Sequence, residues 1–67
     1  GLSELLDKFL RSLDKSSRIL FVRRYFYADS LQELSAMTAL GANTIAARLA
    51  RMRKKLRKIL LEEGYTV

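Results

Sequence analysis

Apolar residues recur at intervals of three and four along most of this chain, and no proline interrupts them. Only an α-helix puts residues with that spacing on one face. The longest stripe is Ile45, Leu49, Met52, Leu56, Ile59 and Leu60, and an earlier one is Leu2, Leu5, Leu6, Phe9, Leu10 and Leu13. The expected fold is therefore all-α, a small four-helix domain. With 67 residues the chain has room for one domain, residues 1–67, and a thin core. It has no cysteine and no histidine. Their absence removes disulfides, thiolate and imidazole metal ligands, and the commonest general base at neutral pH. Glycine-rich phosphate loops and spaced acid pairs are also missing, so no enzyme, metal or cofactor is expected. Stability must come from packing the 49% of residues that are apolar. The longest strictly apolar run, Ile19 to Val22, is far too short to span a bilayer or form a signal-peptide core.

Helix ends have to be found from caps. Ser3 and Asp14 bracket the first helix, and Asp14 can cap a second. In that second helix Ile19, Leu20, Val22, Tyr25 and Phe26 are expected on the buried side, broadened by Phe21 and Tyr27. The aromatic run Tyr25 to Tyr27 is read as packing rather than as a base-stacking platform. Ser30-Leu31-Gln32-Glu33 is a capping box, in which Ser30 and Glu33 satisfy each other's free N–H groups, so a third helix starts there. Leu31, Leu34 and Met37 should face inward from it. Its pattern lapses after Thr38, leaving a turn near Ala39 to Gly41. A fourth helix runs from Ala42 to about Glu63, where Gly64 offers a left-handed cap followed by the apolar Tyr65.

Charge is concentrated in that last helix. Residues 1–47 carry six basic and five acidic side chains, whereas 48–67 carry seven and two, and Arg48 to Lys58 contains no acid. Solvated faces usually mix signs, so this run points to a polyanion such as nucleic acid. Opposite the apolar stripe lie Asn43, Ala47, Ala50, Arg51, Lys54 and Lys58, neutral at the start of the helix and cationic at its end. Arg53, Lys55 and Arg57 flank the stripe and can lay their stems along it. Arg18, Arg23 and Arg24 can extend a phosphate path or serve in ion pairs.

A short capped helix, a tight turn and a longer helix form a helix-turn-helix, whose second helix can enter the DNA major groove. The residues resemble something narrower. Leu13, Arg18, Arg24-Tyr25-Phe26, Ser30, Glu33-Leu34, Thr44-Ile45, Arg48-Leu49-Ala50-Arg51 and Arg53-Lys54-Lys55-Leu56 fall at the spacing of region four of bacterial sigma factors. This is their C-terminal helix-turn-helix domain, and the likeness is to the extracytoplasmic-function type. The resemblance covers nearly the whole chain. It implies a long C-terminal recognition helix in the major groove at the upstream, minus thirty-five promoter element. The implied partners are double-stranded promoter DNA, the RNA polymerase core through its beta flap, and an anti-sigma factor. It also implies a cytoplasmic location, no membrane partner, and a place as the C-terminal part of a longer protein.

The likeness has departures. The family usually carries proline at Asp14, and often glycine at Ala28 and Ala39, serine at Gly41 and a basic residue near Ala46. Asp14 and Ala28 read as mild changes. Ala39 is unfavourable if the turn requires a positive φ, with Gly41 expected to relieve it. Candidate DNA contacts are Asn43, Thr44, Ala46, Ala47, Arg48, Arg51, Lys54, Lys55 and Lys58. Alanine offers only a methyl contact, so readout should be weak, and Asn43 can pair with adenine or satisfy backbone groups at the helix start. Arg48, Arg51, Lys54 and Lys58 supply phosphate contacts. Two alternatives stay open: a helical protein-docking module, and an engineered variant in which alanines favour the helix while erasing readout.

Overall fold

The computed structural model describes residues 1–66 and contains four helices: α1 Leu2–Ser12, α2 Lys15–Tyr25, α3 Leu31–Thr38 and α4 Ala42–Glu62. The fold is all-α, and α3, a three-residue turn and α4 follow one another in helix-turn-helix order. With 21 residues, α4 is about 31 Å long, nearly the long dimension of a molecule measuring 37 × 19 × 17 Å. It packs against each of the other three helices.

The apolar stripe of α4 explains that central position. Ile45, Leu49 and Met52 are buried, and Leu56 and Ile59 are half-buried against the same core. Phe9 from α1, Leu20 and Phe21 from α2 and Leu34 from α3 complete it. Phe9 and Phe21 meet edge to face at 5.3 Å, and Phe21 is tilted against Tyr25 at 4.7 Å. Such pairs add to simple burial because ring edges and faces carry opposite partial charge.

Two terminal signals form as their sequence suggests. At α3 the Ser30 hydroxyl accepts the Glu33 N–H at 3.0 Å, while the Glu33 carboxylate accepts the Ser30 N–H at 2.9 Å. At the end of α4, Gly64 takes φ 90°. Its N–H donates to the Leu61 carbonyl at 3.1 Å and the Tyr65 N–H donates to that of Leu60 at 2.9 Å. This is the paired Schellman arrangement that satisfies the last free carbonyls.

Other expectations change. Ser3 lies inside α1, whose N-cap is Gly1 without a side-chain bond, and Leu2 is 54% exposed. Asp14 does occupy the N-cap of α2, but its carboxylate makes no capping hydrogen bond. The buried side of α2 is Leu20 and Phe21 alone; Ile19, Tyr25, Phe26 and Tyr27 are exposed and Val22 is half-buried. At about 100° per residue Ile19, Val22 and Phe26 lie across the helix from Leu20 and Phe21, so one packing contact cannot cover both sides. Met37 is likewise 52% exposed rather than inward. The turns on both sides of α3 use left-handed alanines, Ala28 at φ 60° and Ala39 at φ 62°. Ala28 is therefore as unfavourable as Ala39. Gly41 relieves neither, because it sits at φ −67° as the N-cap of α4.

Candidate nucleic-acid interface

The outward side of α4 carries an uninterrupted set of exposed residues: Asn43, Thr44, Ala47, Ala50, Arg51, Lys54 and Lys58. The first turns are neutral and the later ones cationic. Ala46 is half-buried, which turns it partly away from any ligand on this face, and Arg48 is also half-buried. Lys55 is exposed beside Arg48 and Arg51 on one flank of the helix. The structure thus brings Arg51, Lys54 and Lys58 together with Asn43 and Ala47, while Arg48 and Lys55 stand at the edge of that face.

None of the α4 cations is paired with a carboxylate among the described residues, where the side-chain ion pairs are Arg11–Asp7 and Arg23–Asp29. Spacing sharpens the point. Arg51 and Lys55, Arg53 and Arg57, and Lys54 and Lys58 are like charges four residues apart on a helix. Each such pair destabilises a helix by about 0.2–0.5 kcal/mol. Burial of the stripe holds the helix despite them, and a polyanion along the face would remove the penalty.

Cations outside this face have structural work. Arg18 donates from Nε to the Leu10 carbonyl and from Nη2 to that of Leu13, both at 3.0 Å, and so closes the end of α1. Arg23 donates to Asp29 at 2.6 Å, and Arg24 to the Asp29 carbonyl at 3.0 Å. Arg53 reaches across to the Tyr25 hydroxyl. The phosphate path from α2 is therefore not needed to explain Arg18, Arg23 and Arg24.

The same geometry reveals groups that spacing alone does not. Asp29 is buried, and its partner lies six residues back across a turn, outside the reach of helical periodicity. Asp14 and Ser17, at the start of α2, share an open cleft of about 440 Å³ with Arg48, Arg51, Met52 and Lys55. The Ser17 hydroxyl above all, with a smaller contribution from the Arg48 charge, holds the Asp14 carboxyl below the ordinary carboxylate range. No group of three or more metal-ligating side chains occurs among the described residues, and none of their helices is long and apolar enough to cross a membrane. No family model, curated protein or solved structure matches this chain.

Proposed function

We propose that this chain is the promoter-binding domain of a bacterial RNA polymerase sigma factor. In this reading α4 enters the major groove at the upstream, minus thirty-five element. The observation that carries it is the unpaired, exposed cationic face of a helix that follows a short capped helix and a tight turn. Asn43, Thr44 and Ala47 stand where base edges would lie, and Arg51, Lys54 and Lys58 where phosphates would. Readout is sparse, since alanine contributes at most a methyl contact to thymine. Affinity then comes mainly from phosphate contacts and counterion release. The reading places the protein in the cytoplasm, with promoter DNA and polymerase core as partners and no catalytic role.

Titration of the domain with a labelled promoter-length duplex across salt tests this. Log affinity should fall linearly with log salt, and R51A/K54A should lower the slope by roughly two while weakening binding at every sequence. A flat salt profile, or a double variant that binds like the parent, defeats the proposal.

A second reading has its own observation. The exposed Ile19, Tyr27 and Met37, with the half-buried Val22, form an apolar surface across α2 and α3, beside Arg18 and Arg23. It lies apart from the cationic face and is suited to a helical protein partner, such as the polymerase flap or an anti-sigma factor.

A further inference from the structure

The cationic flank of α4 ends against an acid. The cleft between α2 and α4 is walled on one side by Arg48, Arg51 and Lys55 and on the other by Asp14 and Ser17, with Met52 between them. Asp14 is exposed at this edge, at the N-cap of α2. The groups that face it are the Ser17 hydroxyl and N–H from its own helix and the Arg48 guanidinium from α4. Its carboxyl is held below the usual range, first by Ser17, so it is ionised at neutral pH. Helix α4 thus offers three positive charges to this cleft, and the start of α2 returns one negative charge.

We infer that Asp14 limits binding of polyanions at this edge, by occupying electrostatically the place where one more DNA phosphate would meet Arg48, Arg51 and Lys55. The inference rests on the DNA-binding reading and deepens it by naming the residue that sets where the phosphate track stops. An anionic side chain inside a cationic cleft offsets part of its field at short range, and the effect fades with screening beyond about 8–10 Å at moderate salt. Asp14 therefore lowers non-specific affinity without touching a base. In a domain whose reading end is mostly alanine, a check on phosphate-driven binding has a direct use: it restrains the sequence-independent part of the affinity, which is the larger part.

Asp14→Asn is the sharpest probe, because asparagine keeps the shape and caps helices as well as aspartate while losing the charge. Glu4→Gln is the control: it changes net charge by the same amount at an exposed site on α1, away from the cleft. Fluorescence anisotropy with a random-sequence duplex, from about 50 to 300 mM salt, should show D14N binding about three- to tenfold tighter at the low end. The gap should narrow as salt rises, with the slope of log affinity steeper by about 0.9 for one added phosphate contact. E4Q should follow the parent within about twofold, and thermal melts should show all three proteins folded. D14N binding like the parent overturns the inference and leaves the DNA-binding reading standing if the parent retains its salt slope. An equal gain in E4Q also overturns it, since the effect would then be one of net charge. Failure of the parent to bind duplex at any salt removes the reading itself, and this inference with it.

Discussion

Before α3 the chain turns through Ala28 at φ 60°, and after it through Ala39 at φ 62°. The two turns face the same backbone demand with different chemistry. Around Ala28 the means are charges: Arg23 donates to Asp29 at 2.6 Å and stands over the Tyr27 ring at 5.3 Å, and Arg24 holds the Asp29 carbonyl. Around Ala39 they are hydroxyls. Ser35 donates to the Leu40 carbonyl at 2.6 Å, and Thr38 donates to the Leu34 carbonyl at 2.7 Å while accepting the Leu40 N–H at 3.3 Å. A left-handed alanine costs about 1–2 kcal/mol, so each turn persists only because neighbouring bonds over-determine it. The comparison suggests a division of labour. A buried carboxylate fixes the wider first turn, whereas short side chains that add little bulk hold the second, from which α4 starts.

The largest effect should come from the first turn, and it should be asymmetric. Asp29 keeps only 11% of its side chain exposed, whereas Arg23 keeps 39%. Arg23→Ala leaves a buried carboxylate without its partner, but Asp29→Ala leaves a guanidinium that water can reach. Breaking a pair by removing the more exposed member therefore costs more. After allowing for solvent screening at Arg23, R23A should lose about 2 kcal/mol and D29A about 1 kcal/mol in urea denaturation. Equal losses, or the reverse order, would show that the pair is not what holds this turn.

How much of this was legible beforehand depended on the range of each signal. The capping box, the stripe of α4 and the Gly64 ending depend on residues within a few positions of one another, so they could be read directly. The outward set from Asn43 to Lys58 followed from the stripe by helical geometry. The buried side of α2 did not, because apolar residues lie all round it and only its neighbours decide which are covered. Met37 escaped for a similar reason, since α3 is too short for its period to define a narrow face. Ala28 looked harmless because alanine gives no sign of its φ. The Asp29 clamp joins the end of one helix to the loop beyond it, and no period of 3.6 residues predicts such a contact. At the candidate interface, the approach of Asp14 and Ser17 to Arg48 was hidden because it joins segments some thirty residues apart.

The second turn should respond less. Ser35→Ala removes the donor to the part-buried Leu40 carbonyl and should cost about 1 kcal/mol, or about 4–8 °C in melting temperature for a domain of this size. If the hydroxyl bond also sets how α4 leaves the turn, S35A should weaken duplex binding more than a neutral loss of stability explains. That can be measured well below the melting range, where both proteins are folded. A variant with unchanged melting would mean that Thr38 alone suffices to hold this turn.

The smallest change removes the strain itself. Glycine reaches positive φ without a Cβ penalty, so Ala28→Gly and Ala39→Gly should each relieve about 1–2 kcal/mol in the folded state. Each also loosens the unfolded chain, which returns about 0.4–1 kcal/mol, so the net gain should be a few tenths to about 1 kcal/mol. Both alanines are exposed and their φ values differ by only two degrees, so the gains should match if strain is purely local. The turns are separated by α3, so the double variant should gain the sum. Thermal unfolding of the three variants decides the matter. A gain at Ala39 but not at Ala28 would mean that the charged clamp stiffens the first turn beyond what its backbone angle requires, and a loss at either site would mean that the alanine methyl contributes packing that outweighs its strain.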